Sequence, residues 1–262
     1  MLDQTSHFRT FGFVVLRQFF DPLPLEEEID RVIRDGPVSS FEVSGGSEIQ
    51  FQYVPMMTTE TPRSLLLLDQ VAVEAGSLLG GPVIPTRAKG VSYRGNTPWH
   101  QDSTLQVASV GAAAYMESLD AESGALRVIP GSHRVEFGDA LRGLGVAGMP
   151  AEALPSHAIA TKPGDMILFD EHLFHSSARG GIRRQWRMDY LRDPATTEET
   201  DRTKAYFADI YPPDWDGGYD VDRFPSYGPS RRNSRRPCVA RLEALGVYEL
   251  AEKQEAFTRS RR

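Results

Sequence analysis

The chain has 262 residues, of which 40% are hydrophobic and 25% charged, so it can form one sizeable core and does not have the composition of a disordered protein. Its formal net charge of −7 argues against a nucleic acid or an anionic membrane surface as partner, and no apolar stretch is long enough to span a bilayer. A single cysteine excludes an internal disulfide, and the first residues lack the pattern of a signal peptide, so we expect a cytoplasmic protein with one domain.

A strand and two helices are predicted in the first third of the chain. Residues 11–20 are dense in β-branched and aromatic side chains, which is typical of a strand. Residues 21–36 begin with prolines and acids, carry apolar residues at helical spacing and end at a glycine, which predicts a helix. A second helix is predicted from Thr61 to the glycine pair 80–81. Between the two helices, residues 37–60 contain no motif for a named ligand, but we expect them to help shape a pocket.

The pattern changes between about residues 83 and 191, where short apolar runs alternate with Gly, Pro and Asn. Many short strands at such spacing predict a β-sandwich or barrel. Residues 193–262 are predicted to be a loop and helix extension of the same domain. The aromatic segment 211–230 in this extension is either a lid over a site or an ordinary packed loop. The sequence does not predict an oligomeric state.

A histidine and an aspartate stand one residue apart in the short apolar segment PWHQDSTLQV, residues 98–107. Alternate side chains of a strand point to the same side, so His100, Asp102, Thr104 and Gln106 are expected to share one face. A buried carboxylate would need a partner, but such a triplet is also common by chance as a surface histidine beside a solvated aspartate, so the pair alone does not establish a site. Thr104 and Gln106 would then contact substrate or co-substrate, or would support the residues that bind a metal.

A second histidine completes a possible metal site. His175 follows the apolar strand DMILFDEHLFH, whereas the other histidines after His100 lie among turn signals. Two histidines and one carboxylate on one face form the facial triad of non-haem Fe(II) oxygenases. The segment RRQWRMDYLR, residues 183–192, places arginines a few residues beyond His175. A guanidinium near such a metal can form a bidentate pair with a dicarboxylate.

Four motifs along the chain carry a resemblance to a known family. They are an opening strand in FRTFGFVVLRQFF, the pair WHQD, the middle segment AAAYMESLDAESGALRVIPGSHR and the distal segment KPGDMILFDEHLFHSSARG. Together they make residues 8–192 resemble the phytanoyl-CoA dioxygenase-like branch of the Fe(II)/2-oxoglutarate oxygenases. The resemblance implies a mostly β fold with flanking helices and a double-stranded β-helix core, which is a jelly-roll of the cupin type.

The resemblance also implies roles for individual residues. His100, Asp102 and His175 match the iron ligands, and Ser177 matches a serine that helps to hold the distal carboxylate of 2-oxoglutarate. The usual position of the arginine that binds this carboxylate is occupied by Trp186. A one-residue offset makes Arg187 the best match, with Arg184 as the alternative. His133, in the PGSH turn, corresponds to a structural position of the family.

The resemblance implies an oxidation of a small molecule. Fe(II), 2-oxoglutarate and O2 would react to give succinate, CO2 and an oxidant for an unactivated C–H bond. Related halogenases lack the carboxylate at the position of Asp102, so hydroxylation, desaturation or ring closure is favoured. We expect a small metabolite as substrate, in bacterial natural-product tailoring. The alternative is a non-redox, cupin-like metal-binding protein or isomerase, which would not need an arginine for a dicarboxylate.

Overall fold

The computed structural model describes residues 3–34, 39–43, 47–234 and 236–261, with the backbone alone described between 39 and 49. Its strands are β1 Phe13–Leu16, β2 Ser39–Val43, β3 Ser47–Pro55, β4 Val83–Pro85, β5 Lys89–Arg94, β6 Thr97–His100, β7 Ser109–Tyr115, β8 Leu126–Val128, β9 His157–Ala158, β10 Met166–Asp170, β11 His175–Ser177 and β12 Arg183–Arg192. Its helices are α1 Gln4–Phe11, α2 Pro22–Arg34, α3 Pro62–Leu79, α4 Val135–Gly143, α5 Thr197–Ile210, α6 Pro229–Arg232, α7 Pro237–Ala244 and α8 Val247–Ser260.

The described strands form two antiparallel sheets. The larger sheet has the order β1-β10-β7-β12-β5-β3-β2, and β4 pairs with β12 at one side. The smaller sheet has the order β6-β11-β8-β9. Antiparallel sheets with flanking helices confirm the predicted jelly-roll core.

The two faces of β12 have different neighbours. Trp186 and Tyr190 are fully buried and face α3, where the Trp186 indole donates a 2.8 Å hydrogen bond to Ser64 and the Tyr190 hydroxyl donates one of 2.8 Å to the Leu68 carbonyl. Because side chains alternate along a strand, the odd-numbered residues of β12 face the other way, between the sheets. The space between the sheets is therefore lined by alternate residues of β12.

The first strand is shorter than the predicted span 11–20, and a helix precedes it. Asp3 caps α1 by accepting a 2.9 Å hydrogen bond from the Ser6 backbone, and Gly12 ends it at a φ of 84°. The left-handed conformation at Gly12 is one that glycine adopts without strain. The apolar run that predicted a strand from residue 11 begins inside this helix, so the structure places the boundary at Phe13.

The two other predicted helices are confirmed as α2 and α3. The end of the first predicted helix, residues 35–36, lies outside the described residues, as do residues 37–38 and 44–46 of the predicted pocket segment. A further helix, α4, lies within the region predicted to hold only short strands. Another, α5, begins at a reciprocal capping box between Thr196 and Glu199, at the polar start of the predicted loop and helix extension.

The aromatic segment of the extension packs into the core. Tyr219, Phe224 and Tyr227 are each at most 3% exposed, and the Tyr211 hydroxyl donates a 3.0 Å hydrogen bond to that of Tyr227. These contacts are those of a packed loop, and they hold the extension against the larger sheet. The assignment of the whole chain to one domain stays a prediction. Among the described residues, no helix has both the length and the apolar character that crossing a membrane requires.

Candidate active site

The predicted triad comes together at the meeting point of two strands. His100 ends β6, His175 begins β11, and the two residues are direct partners in the antiparallel register. Asp102 follows in the turn after β6. The candidate ligand atoms of the three side chains all lie within 4.8 Å of one another. One carboxylate oxygen, Oδ1 of Asp102, lies 3.4 Å from Nε2 of His175 and 3.6 Å from Nε2 of His100.

Backbone carbonyls orient both imidazole rings. Nδ1 of His100 lies 2.9 Å from the Pro98 carbonyl, and Nδ1 of His175 lies 2.9 Å from the Leu173 carbonyl. Each carbonyl accepts a hydrogen bond only from a protonated Nδ1, which leaves Nε2 with its lone pair in the neutral ring. Both Nε2 atoms therefore face Asp102 as potential metal ligands.

The electrostatic environment of Asp102 and His175 favours the ionisation states that a divalent cation needs. Burial lowers the pKa of His175, and His100 lowers it further. Burial also opposes protonation of His100, but the hydrogen bond to Asp102 raises its pKa. Burial acts to raise the pKa of Asp102, yet His175 and Arg187 hold that pKa well below its ordinary value. A carboxylate beside a neutral, buried imidazole matches the donor set of a facial triad.

Arg187 lies on the inward face of β12, as predicted, but its partners differ from those expected. Its Nη2 donates a 2.6 Å hydrogen bond to Oδ2 of Asp102, and its Nη1 forms an ion pair with Asp189. Gly111 leaves room for the guanidinium, since a Cβ there would lie 2.7 Å from Nη2. The sequence analysis expected Arg187 to hold the distal carboxylate of 2-oxoglutarate beside Ser177, but the guanidinium is paired with two carboxylates of the chain itself.

The arginine beside Ser177 is Arg183, which the sequence analysis did not single out. Arg183 is 3% exposed, and its Nη2 donates hydrogen bonds of 3.2 Å to Ser177 Oγ and 3.0 Å to the Gly95 carbonyl. Two glycines form a cradle for it: a Cβ on Gly180 would overlap Nη1, and one on Gly124 would lie 2.6 Å from the same atom. Burial lowers the pKa of Arg183. The odd-numbered alternation with Arg187 along the strand was the signal that could have identified it.

Arg183 has no carboxylate within ion-pair distance in the part of the chain that the structure describes, although two other arginines of the same strand, Arg184 and Arg187, do have such pairs. A buried guanidinium without a counter-charge is energetically costly. The corner formed by Arg183 and Ser177 is therefore suited to receive an anion from outside the chain.

Arg184, the alternative arginine, faces away from the triad. It is an even-numbered residue of β12, and its guanidinium donates hydrogen bonds of 2.8 Å to Glu117 and 2.6 Å to Glu26, with a further pair to Asp30. These pairs connect the outer face of the strand with α2. Arg184 does not line the cavity that contains the triad.

Thr104 and Gln106 do not share a face with the triad, so this prediction was wrong. Strand β6 ends at His100, and residues 101–107 form turns and bends. The strict alternation expected over 98–107 therefore stops after His100, and Asp102 reaches the site from the turn instead. Thr104 and Gln106 line separate surface clefts near His172.

The two histidines of the neighbouring turns are also outside the triad. Nε2 of His133 lies 3.2 Å from the Arg9 carbonyl, in keeping with its expected structural role. His172 lies between Asp170, at 2.8 Å, and the Leu105 carbonyl, at 2.6 Å. Neither residue joins the three that could hold a metal among the described residues.

Two spaces that share part of their lining lie on this side of the larger sheet, and one of them contains the triad. The inner cavity has a volume of about 270 Å³ and contains the triad together with Ser177, Arg183 and Arg187. A second space of about 270 Å³, which we name the outer compartment, is lined by Thr86, Arg87, Pro212 and Trp215 in addition to shared residues. The residues common to both spaces are Phe51, Tyr53, Lys89, Asp189 and Ile210.

A comparison with protein families identifies one match. The model of the family described as phytanoyl-CoA dioxygenase (PhyH) matches residues 8–185. This span includes the triad, Ser177 and Arg183, and it ends before Arg187. No curated protein matches the chain in sequence.

Solved structures show the same fold at low sequence identity. AviO1 from Streptomyces viridochromogenes Tue57 is 23% identical, with a TM-score of 0.59 over 75% of this chain and 97% of that one. The epimerase SnoN, in complex with Fe3+, alpha ketoglutarate and nogalamycin RO, is 18% identical, with a TM-score of 0.58 over 72% and 82%. HygX from Streptomyces hygroscopicus, with nickel and 2-oxoglutarate bound, is 17% identical, with a TM-score of 0.56 over 76% and 93%.

Proposed function

Because this chain belongs to the phytanoyl-CoA dioxygenase family, we propose that it is an Fe(II)/2-oxoglutarate-dependent oxygenase. Its substrate would be a small metabolite with an unactivated C–H bond. The observation that carries this proposal is that one cavity contains both the His-Asp-His cluster and a buried arginine without a counter-charge. A non-redox metal protein would need the first feature but has no use for the second.

The donor set fits Fe(II). His100, Asp102 and His175 offer two nitrogens and one oxygen, which is the ligand type of non-haem iron oxygenases. Iron bound there would supply, with 2-oxoglutarate and O2, the oxidant for C–H cleavage, with release of succinate and CO2. Arg187 holds Oδ2 of Asp102, so that only Oδ1 is directed at the two imidazoles. We assign to Arg187 the role of orienting the carboxylate ligand.

We assign the distal carboxylate of 2-oxoglutarate to Arg183 and Ser177. The guanidinium and the hydroxyl are already hydrogen-bonded to each other, and both line the inner cavity. The planar fork of arginine suits a carboxylate, and binding the anion would supply the missing counter-charge of Arg183. The crystal structure of HygX, which holds nickel and 2-oxoglutarate, supports the view that a fold of this kind accommodates both.

Hydroxylation is the reaction that we propose for the substrate. Asp102 occupies the position where a coordinating carboxylate excludes halide, and the cavity holds no second cluster of metal-binding residues among those described. SnoN is named as an epimerase and SnoK as a carbocyclase of nogalamycin biosynthesis, so similar folds carry out other reactions as well. These names also support a role in bacterial natural-product tailoring. Mass analysis of the product separates hydroxylation, a gain of oxygen, from ring closure or desaturation, a loss of hydrogen.

The decisive experiment is the anaerobic addition of Fe(II) and 2-oxoglutarate to the metal-free protein. We expect the weak visible charge-transfer band of the chelate, and we expect succinate once O2 and a substrate are supplied. Arg183→Leu is the matched variant that keeps the triad but loses the anchor. Iron binding without any spectral change on addition of 2-oxoglutarate would favour the non-redox alternative.

A further inference from the structure

The cavity system contains more positive than negative charge. Among the described residues that line the two joined spaces, the arginines and lysines are Arg87, Lys89, Arg183 and Arg187, whereas the carboxylates are Asp102 and Asp189. A divalent iron, Asp102, Arg183 and the doubly negative 2-oxoglutarate together are neutral, and so are Arg187 and Asp189. The proposed function therefore leaves two cations, Lys89 and Arg87, without compensation, which is costly at buried positions.

Lys89 lies where the inner cavity meets the outer compartment. Its side chain is 21% exposed, and its nearest anionic partner is Oδ2 of Asp189 at 3.5 Å. Arg187 shares the carboxylate of Asp189. The ammonium group also lies 5.5 Å from the centre of the Tyr53 ring. An ammonium with one long, shared contact retains donors for a ligand.

Arg87 lies two residues before Lys89 and reaches the same ring, with its guanidinium 5.1 Å from the centre of Tyr53. It is 6% exposed and donates hydrogen bonds of 2.9 Å to Ser226 and 2.8 Å to Gln254. These partners are neutral, and within the described residues Arg87 forms no ion pair. Arg87 therefore adds positive potential to the outer compartment without a charge to balance it.

The walls beside these cations are aromatic. Phe51 and Tyr53 line both spaces, and Trp215 lines the outer compartment, with the Tyr53 and Trp215 rings in edge contact at 5.7 Å. Aromatic faces bury apolar or planar groups and strengthen electrostatic contacts by excluding water. The compartment therefore combines a positive floor with apolar walls.

We propose that the outer compartment binds an anionic group, a carboxylate or a phosphate, of the primary substrate through Lys89 in the field of Arg87. The substrate is then an organic anion whose body lies against Phe51, Tyr53 and Trp215 and extends toward the triad. The orientation of the substrate toward the triad rests on the proposed function. The binding of its anionic group in the outer compartment does not.

Calorimetric titration of the full-length, metal-free protein tests the anion site. The probes are phenylacetate, phenyl phosphate and the neutral phenylacetamide, each measured with and without saturating 2-oxoglutarate. We expect at least one anion to bind at least about tenfold more tightly than the amide, since a charge-assisted hydrogen bond is lost with the charge. The preferred anion identifies the carboxylate or the phosphate as the native group, and its binding should persist when 2-oxoglutarate is present.

Variants then locate the site. Lys89→Met should weaken binding of the preferred anion by about tenfold or more, Lys89→Arg should keep it within a few-fold, and the exposed Lys253→Met should leave it unchanged. Thermal melting checks that each variant is folded, and Lys89→Gln replaces Lys89→Met if the latter is not.

Three results would overturn the proposal. They are equal binding of phenylacetamide, absence of anion binding at millimolar concentration, and loss of anion binding in Arg183→Leu but not in Lys89→Met. Because no iron is used, any of these can occur while the charge-transfer band of the proposed function still forms.

Discussion

The inner cavity and the outer compartment are built from the chain in different ways. The inner residues come in pairs two positions apart, such as His100 with Asp102 and His175 with Ser177, on or next to paired strands. The outer residues come from four segments, around positions 51–53, 86–89, 189 and 210–215; the first three lie on or next to paired strands, whereas the last belongs to the extension and joins them through tertiary packing. The difference shows that the inner cavity is built by strand residues close in sequence, whereas the outer compartment is completed by the extension.

The sharpest test of this division is the removal of a triad histidine. His175→Ala should abolish the charge-transfer band with Fe(II) and 2-oxoglutarate and reduce succinate formation to background, because the metal loses one of three ligands. Binding of the anionic probe in the outer compartment should be unchanged. The exposed His157→Ala is the control and should keep full activity. Turnover retained by His175→Ala would break the assignment of the inner cavity.

The next largest effect is expected at the corner of Arg183. Arg183→Leu leaves 2-oxoglutarate without its charged partner, and truncation of one member of a buried pair costs on the order of 2–5 kcal/mol, or roughly 30-fold or more in affinity. Arg183→Lys should keep only part of the affinity for 2-oxoglutarate, because an ammonium group lacks the planar fork of a guanidinium. The measurement is the titration of 2-oxoglutarate against the charge-transfer band.

The same titration decides between the two inward arginines. Arg187→Leu should lower the affinity for Fe(II) by about 10- to 100-fold, as loss of a group that orients a ligand does. At saturating metal, the dissociation constant of this variant for 2-oxoglutarate should stay close to that of the unmodified protein. Gly111→Ala, which places a Cβ 2.7 Å from Nη2 of Arg187, should weaken metal binding in the same direction. If the dissociation constant for 2-oxoglutarate rose steeply in Arg187→Leu and not in Arg183→Leu, Arg187 would be the residue that binds the distal carboxylate.

A pH-dependent stability is expected where the inner site meets the extension. The carboxyl group of Glu171 accepts 3.0 Å hydrogen bonds from Tyr206 of α5, and its backbone carbonyl accepts one from the amide of Asp102. Burial raises the pKa of Glu171 to about 8, and Asp189 contributes to the rise. The folded state therefore holds a proton that the unfolded state releases near pH 4.5, so this group loses stabilising effect as the pH rises from about 4.5 to 8.

Substitution of this carboxyl group by an amide should remove the effect. At pH 8.5, Glu171→Gln should be more stable than the unmodified protein by on the order of a few kcal/mol and should therefore melt at a higher temperature, whereas at pH 4.5 the two should melt at nearly the same temperature. Melting curves at several pH values give the difference directly. Parallel pH dependence in both proteins would show that Glu171 is ionised in the folded state.

The smallest effect is expected on the outward face of β12. Arg184→Leu removes ion pairs to Glu26, Asp30 and Glu117 that are partly exposed, so it should cost about 1 kcal/mol of stability or less. The constant for 2-oxoglutarate should not change. A large rise in the dissociation constant for 2-oxoglutarate would contradict the assignment of Arg184 to the outward face of β12.

The sequence was sufficient for the fold class and the triad but not for every contact. His100, Asp102 and His175 were identified correctly as a group, although the alternation used for His100 and Asp102 continued a strand that ends at His100. Arg183 was overlooked because the distance was counted along the chain from His175, and a loop separates that residue from β12. Helix α5 had a readable capping box, Thr196 and Glu199, which the polar composition obscured.

The outer compartment could not be predicted, for a physical reason. No local period places Lys89 and Trp215 together, since their proximity depends on how the extension packs against the larger sheet. The aromatic segment 211–230 was recognised as a unit, but the structure was needed to show that most of its rings pack inward while Trp215 lines the compartment.

The alternation along β12 also constrains how this protein can change over generations. A one-residue insertion inside the strand would exchange its two faces, placing Trp186 at the metal and Arg187 against α3. Such an insertion would disrupt both the site and the packing of the core. The loop at 178–182, by contrast, can change length while the strand stays in register, provided that a glycine still packs against Arg183 as Gly180 does. Lineages can thus drift in the spacing between the distal histidine and the arginine, and a search that fixes this spacing will miss functional members.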